Sequence, residues 1–596
     1  MYSDTRSRVA HVTLDTFQRS CHNSSSCPPD SYINLTIFRG GTGRMAASQE
    51  LDISRSRFSH LSANGSFLDQ STNEQRCEKH FKTTHSRDSS ERYIVRILLN
   101  SPVDLLGDSY NVAHQCLKGL RRRFSTDVNY QRLYQQFMID YETLNHMTKA
   151  SSISSHRSHF HLPHHGVLKP DSITTKLRVV CNGSSASTSG DSVNDFMYTG
   201  AKLHLNISDV LPWIRRHRYI FATDITKMDR PIQIHKDDWE LQRILWMDNQ
   251  LNEVPYHSTT VTYGTKVAPF SAVRTLLQLA EDEGHNTVQQ LQEVAPQLRD
   301  LCMAGGFPLA KWHATHLDIL KTVTDSEDQG LPITFDDCAT KKLGLKWLPQ
   351  EDTFAFSTRS SRSEGRLTKR LVLSEVAQIL DPLGFASPVV IKAKILLQEL
   401  WLHKLQWDDP RTSQLSTRWL IHREELTSSA ELSIPRWFNT WSNSSLELHD
   451  FSDGSQLTMI AVVYISVHDS TGSTFSLVCS KTKVAPLKRL SIPRLELTAA
   501  LLLSRLMQYV KATLNMDVTA THMWTESLVT LSWITSVKGS WIRSHASRWK
   551  NFVRNRVAQI EELTPAAHWR YIPGSSNPAD GASRGLTTAQ LQNHSL

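Results

Sequence analysis

Cysteine is scarce and scattered: eight residues, at 21, 27, 77, 116, 181, 302, 338 and 479, with no Cys-x-x-Cys pair and no Cys/His set at zinc-ligand spacing. That excludes zinc fingers and ribbons and argues against a disulfide framework. The thiols read as reduced, in a protein of the cytoplasm or nucleus. No apolar run reaches the roughly 18 residues a membrane span needs. The first residues, MYSDTRSRVAHV, lack the apolar core of a signal peptide, so no membrane partner is expected. Asp-Thr-Gly and Asp-Ser-Gly are both missing, which excludes an aspartic peptidase, whose loop carboxyl works as one of a pair. No internal repeat occurs. An excess of one charge is also small. With 66 Lys+Arg against 58 Asp+Glu the net charge is +8, which permits contact with a polyanion without requiring it.

What is present is length and apolar content. A chain of 596 residues, 39% hydrophobic with 15 tryptophans, can bury substantial cores, and its length suggests roughly three to four domains. Residues 1–70 are Ser-, Asn-, Gly- and Arg-rich and are expected to be poorly ordered. Apolar spacing predicts two helices within 110–147, and a helix over 286–304 broken or kinked near Pro296 and ended by Gly305-Gly306. Residues 370–405 are predicted helical with an interruption at Asp381-Pro382, and helices are expected over 494–510 and 547–562. Strands are expected at 176–180, at 219–225 and as a pair within 446–467. The run HRSHFHLPHH (156–165) lacks an accompanying Cys or acidic ligand set and reads as linker.

Near the C-terminus four acids occur in distinctive surroundings: Asp453 in ELHDFSDGS, Glu496 in SIPRLELTAALLL, Glu526 in MWTESLVTLSWI and Asp580 in GSSNPADGASRG. Carboxylates converging from separate elements are what two-metal phosphodiester hydrolysis requires, and Mg²⁺ favours such hard oxygen ligands. In order and context the quartet resembles a ribonuclease H active site.

Further strings resemble the polyprotein of BEL/Pao-type LTR retrotransposons over about residues 75–586. They are CEKHFKTTHSRD (77–88), LPHHGVLKPDSITTKLRVVCNGSS (162–185), RYIFATDITKMDRPIQIHKDDWELQRILW (218–246), TVTYGTKVAPFSAVRTLLQLAEDEG (260–284), GGFPLAKW (305–312) and LSEVAQILDPLGFASPVVIKAKILLQELW (373–401). The last matches a connecting region that carries a peptidase label, which would name a neighbour in the polyprotein. The resemblance implies an α+β chain: damaged reverse transcriptase fingers and palm, a helical connection, then an α/β ribonuclease H-like domain with a mixed sheet. The expected division is 1–70, a helical region at 71–160, a reverse transcriptase-like domain at 161–325, the connection at 326–440, the ribonuclease H-like domain at 441–586 and a tail at 587–596.

In a reverse transcriptase, one aspartate on a first palm strand and two on a Tyr-x-Asp-Asp hairpin hold two metal ions. By resemblance Asp224 is the first, Lys176 and Arg178 would face the triphosphate, and Gly264 to Pro269 would pack beneath the nascent base pair. The hairpin is absent: Glu283-Gly284-His285-Asn286 runs straight into TVQQLQEVAPQLRDLCMAGGF, and no other Asp-Asp pair stands in its place. Asp229 replaces an expected aromatic, and Pro231 removes a strand hydrogen bond. The polymerase is therefore expected to be inactive.

For the last domain the resemblance implies two Mg²⁺ (or Mn²⁺) ions held by Asp453, Glu496, Glu526 and Asp580, acting on an RNA–DNA hybrid or other nucleic acid. The third acid is usually Asp. The extra methylene of Glu526 displaces its oxygens, and about 1 Å of misplacement can cost about a hundredfold, so weakened turnover is expected. Lys481, Lys483, Lys488, Arg489, Arg494, Arg548, Trp549 and Lys550 would contact phosphates or bases. Two alternatives stay open: a non-catalytic nucleic-acid binder, and the product of a decayed gene without activity.

Overall fold

The computed structural model describes residues 32–36, 72–150, 158–168, 176–203, 206–225, 228, 230–248, 250–283, 291–323, 333–334, 343–358, 368–403, 406–408, 413–441, 443–470, 472–536 and 550–593. Helices and mixed sheets alternate along it, so the α+β class is borne out. The chain forms two compact units.

In the first unit, apolar residues at helical spacing give helices Tyr110–Thr126 and Val128–Thr143. Asp127 separates them and caps the second by accepting from Tyr130 N. Their inner faces carry Phe124, Tyr130 and Tyr134 against Trp246, an aromatic knot in the centre of this unit's core. The predicted strand at 176–180 is observed as Leu177–Cys181, paired antiparallel with His164–Leu168. Gly264 lies with φ +107° against the Cys181 carbonyl, where a Cβ would sit 1.9 Å away, so only glycine fits. The expected helix before Gly305-Gly306 is described over Leu291–Ala304, with Pro296 inside it.

The second unit is built around a five-stranded sheet: β1 Ser445–Gly454, β2 Thr458–Asp469, β3 Gly472–Val484, β4 Ala520–Thr525 and β5 His568–Tyr571. The spatial order is β3-β2-β1-β4-β5. The first three strands form an antiparallel meander, and β4 and β5 add in parallel to β1. The parallel step from β1 to β4 requires a crossover, which is helix α1, Ile492–Leu514. Pro493 in its first turn and Asn515 in the left-handed region after its end delimit it. Helices α2 Leu528–Thr535 and α3 Asn551–Leu563 follow β4, and α4 Pro578–Arg584 follows β5.

The alternation of β1 sorts its side chains between two layers. Phe451, with Ile460, Val462 and Tyr464 of β2, packs against Ala579 and Ala582 of α4. The opposite face, including Leu448, lies towards α1, whose Leu495, Ala499, Leu502 and Leu503 are buried. The connecting helices belong to the same body. Helix Ser387–Leu402 runs along β3: Lys394 Nζ donates to Thr482 Oγ1 at 2.9 Å and Gln398 Nε2 to the Ala485 carbonyl at 2.5 Å. The Asp381-Pro382 interruption is the docking turn. Asp381 accepts from Phe385 N and Ala386 N, and Ser480 N and Oγ donate to the Leu383 and Gly384 carbonyls. This turn satisfies backbone groups on an edge strand that otherwise invites foreign pairing.

Candidate active site

Three of the four acids converge. One carboxylate oxygen from each of Asp453, Glu496 and Glu526 lies within 4.8 Å of the other two. Asp453 stands next to the last residue of β1, and Glu526 follows β4 directly. The carboxyl ends of two parallel neighbours thus supply two ligands, and α1 supplies Glu496 from its second turn. Gly454 sets the approach. A Cβ there would lie 2.8 Å from Glu496 N and Leu495 C, so any side chain would push α1 and Glu496 away from Asp453.

Asp453 and Glu496 are each 3% exposed. Glu496 Oε2 and Glu526 Oε2 make no hydrogen bond among the described residues. Burial, then repulsion from Asp453 and Glu526, pushes the Glu496 carboxyl up to about 9. Burial and Asp453 likewise raise Glu526. A cluster that disfavours its own ionisation and carries orphaned oxygens fits hard divalent cations, whose charge would offset both penalties. The pH dependence follows. A raised carboxyl holds a proton that the unfolded chain has released, so its stabilising contribution is full below about pH 4.5 and is lost as pH rises towards about 9. In EDTA the melting temperature is expected to fall across this window. Calorimetry of Glu496→Gln should give a flatter profile.

The longer side chain at 526 has its own space. Gly574 faces it, and a Cβ there would lie 2.8 Å from Glu526 Oε2. Asn577 lies beside the Glu526 carboxylate and partly offsets its upward shift, donates to the Ser452 carbonyl at 3.2 Å and caps α4 by accepting from Ala579 N. Asp580 is not among the three ligand atoms within 4.8 Å of one another, but its charge adds to those that raise Glu526. It lies in the first turn of α4, where the helix dipole favours an anion, and pairs with Arg584 Nε at 2.7 Å.

Lys481, Lys483, Lys488, Arg489 and Lys550 are exposed, and Arg494 is half-buried with its guanidinium 5.2 Å from the Phe552 ring centre. Arg548 and Trp549 lie outside the described residues, as do His156 and Arg157 at the start of the histidine-rich run. In the first unit Lys176 is exposed, and the Arg178 guanidinium lies 5.9 Å from the Tyr263 ring centre. Asp224 occupies strand Tyr219–Ile225, whose sheet neighbours are YINLT (32–36) and LAKWHA (309–314). Neither contains an acid. Other candidate aspartates have partners: Asp238 with Arg96 and Asp408 with Arg370. The junction at 284–290 and Asp229 lie outside the described residues.

Gly574, Asn577 and Arg584 escaped the sequence reading. The Asn-Pro pair before α4 is a helix-start signal that would have marked Asn577 as a cap. Nothing local marks the space opposite Glu526.

Strand order and carboxylate trio together define a ribonuclease H-like domain. Residues 368–527 match the family model of the Pao retrotransposon-like RNaseH-like domain. Over that stretch the resemblance to a BEL/Pao-type retrotransposon polyprotein is borne out. The match begins in the connecting helices, in keeping with their packing on β3. No curated protein matches the chain. Among solved structures it is similar to a foamy viral protease-reverse transcriptase with double-stranded DNA (13% identity, TM-score 0.47, covering 74% of this chain and 69% of that one). A second is that protease-reverse transcriptase with an RNA/DNA hybrid (12%, 0.46, 75% and 54%). A third is LC11-RNase H1 with an RNA/DNA hybrid (10%, 0.17, 22% and 89%). Among the described residues no helix is long and apolar enough to cross a membrane.

Proposed function

We propose that the second unit cleaves the RNA strand of RNA–DNA hybrids with divalent metal ions, and that the first unit does not polymerise DNA. The observation that carries the nuclease reading is the trio of Asp453, Glu496 and Glu526 at the carboxyl ends of β1 and β4. Mg²⁺ or Mn²⁺ bound there would activate the attacking water and neutralise charge developing on the phosphate. Asp453, Glu496 and Glu526 would together hold the ions. Asp580 would join when its carboxylate turns from Arg584. The exposed Lys481, Lys483 and Lys488 and the half-buried Arg494 supply positive charge for the hybrid's phosphates. Cleavage of a labelled hybrid by the full chain, dependent on Mg²⁺ and lost in EDTA, tests this directly.

Glu526→Asp gives a second expected result, the reverse of what the extra methylene alone suggests, because Gly574 leaves the longer side chain room. The shorter side chain withdraws its oxygens by about a bond length from the trio and from Asn577, and displacements of about 1 Å cost up to about a hundredfold. Single-turnover cleavage should therefore slow by about tenfold or more, with hybrid affinity unchanged. Equal or faster cleavage would show that the space opposite Gly574 is not fitted to glutamate.

A further inference from the structure

The same pair of strands carries a second cluster at its other end. Glu447 and His449 alternate on β1 and so share a face, and His522 of β4 is in register with His449. Glu447 Oε2 lies 3.5 Å from His449 Nε2 and 3.4 Å from His522 Nε2. One ligand atom from each of the three lies within 4.8 Å of the other two. His449 is four residues from Asp453, about 13 Å along the strand, and the stacked pair Phe451–Trp524 stands between. This cluster is therefore separate from the carboxylate trio.

We propose that Glu447, His449 and His522 bind one divalent transition-metal ion of the Zn²⁺ type. Two imidazoles and a carboxylate suit zinc and its neighbours rather than Mg²⁺. Bonds of about 2.0–2.1 Å in tetrahedral array place ligand atoms about 3.3 Å apart, close to the spacings found. Three protein ligands leave a coordination position for water, and the side chains remain 32%, 19% and 13% exposed, enough for an ion to enter. The bland reading is an ion pair between Glu447 and a histidinium. One carboxylate neutralises only one imidazolium, so a single ion pair does not account for both rings facing Glu447. His522 Nδ1 is buried without a hydrogen bond among the described residues, so that ring's polar contact is made at Nε2, towards Glu447. His468 is a neighbour rather than a ligand. Its ring nitrogens meet Ser466 Oγ at 3.0 Å and Ser473 Oγ at 2.6 Å, and its Nε2 lies 3.9 Å from Glu447 Oε2. An ion here would tie β1 to β4 at the amino end of their parallel pairing.

Equilibrium dialysis and Co²⁺ absorption on the full chain test the proposal, in an Asp453→Asn background that weakens the carboxylate site. One equivalent of Zn²⁺ or Co²⁺ should be retained in the presence of excess Mg²⁺, with visible absorption of low-coordinate Co²⁺ and a higher melting temperature. His449→Ala and His522→Ala should each lose that equivalent and the absorption. Glu447→Gln and His522→Gln, which keep size, serve where an alanine variant misfolds. No retained equivalent in the parent, or the same uptake and absorption in the histidine variants, overturns the proposal.

Discussion

Asp453→Asn should reduce hybrid cleavage below detection and, in EDTA at neutral pH, make the chain more heat-stable than its parent. The two effects share one cause. Asp453 is the acid whose charge raises both Glu496 and Glu526, and it is 3% exposed, so its repulsion is poorly screened. Asparagine keeps the size and removes the charge. The neighbouring carboxyls then ionise more readily, which lowers the cost of folding without metal. The same change removes one of the three carboxylates that would hold the ions. A variant that loses cleavage and also loses stability would point to a structural role for Asp453. A variant that keeps cleavage would contradict the assignment of the site.

The second large effect concerns polymerisation. Primer extension on a poly(rA) template is expected to be absent with Mg²⁺ or Mn²⁺. A polymerase of this kind needs three carboxylates on adjacent strands to hold its ions. The strand bearing Asp224 lies between YINLT and LAKWHA, which offer none. On the proposed reading two ligands of three are gone, so no metal or substrate concentration should rescue activity. Extension at the rate of a chain with an intact Tyr-x-Asp-Asp hairpin would refute this reading.

Much of the second unit was legible from sequence because its signals are local. The alternation over 446–467 gave β1 and β2, and the apolar stripe of SIPRLELTAALLL gave α1. The interruption at Asp381-Pro382 was visible too, though not its purpose: that the turn docks on Ser480 depends on a partner about a hundred residues away. The carboxylates were found by context; three of them converge within 4.8 Å, and Asp580, paired with Arg584 in its own helix, acts on Glu526 through its charge. The bond geometry of Glu526 was legible, but the glycine that makes room for it lies 48 residues downstream. Glu447, His449 and His522 were missed for the same reason. Two of them alternate on a strand like any polar pair on one face of a sheet, and only the parallel register with β4 brings the third within reach.

The most direct test of the central claim is calorimetric titration of Mn²⁺ into the metal-free full chain at neutral pH. The trio predicts saturable uptake with proton release from the raised carboxyls, abolished or greatly weakened in Asp453→Asn and Glu496→Gln. Uptake that these two substitutions leave intact, or no uptake at all, would contradict a metal-dependent nuclease site at the ends of β1 and β4.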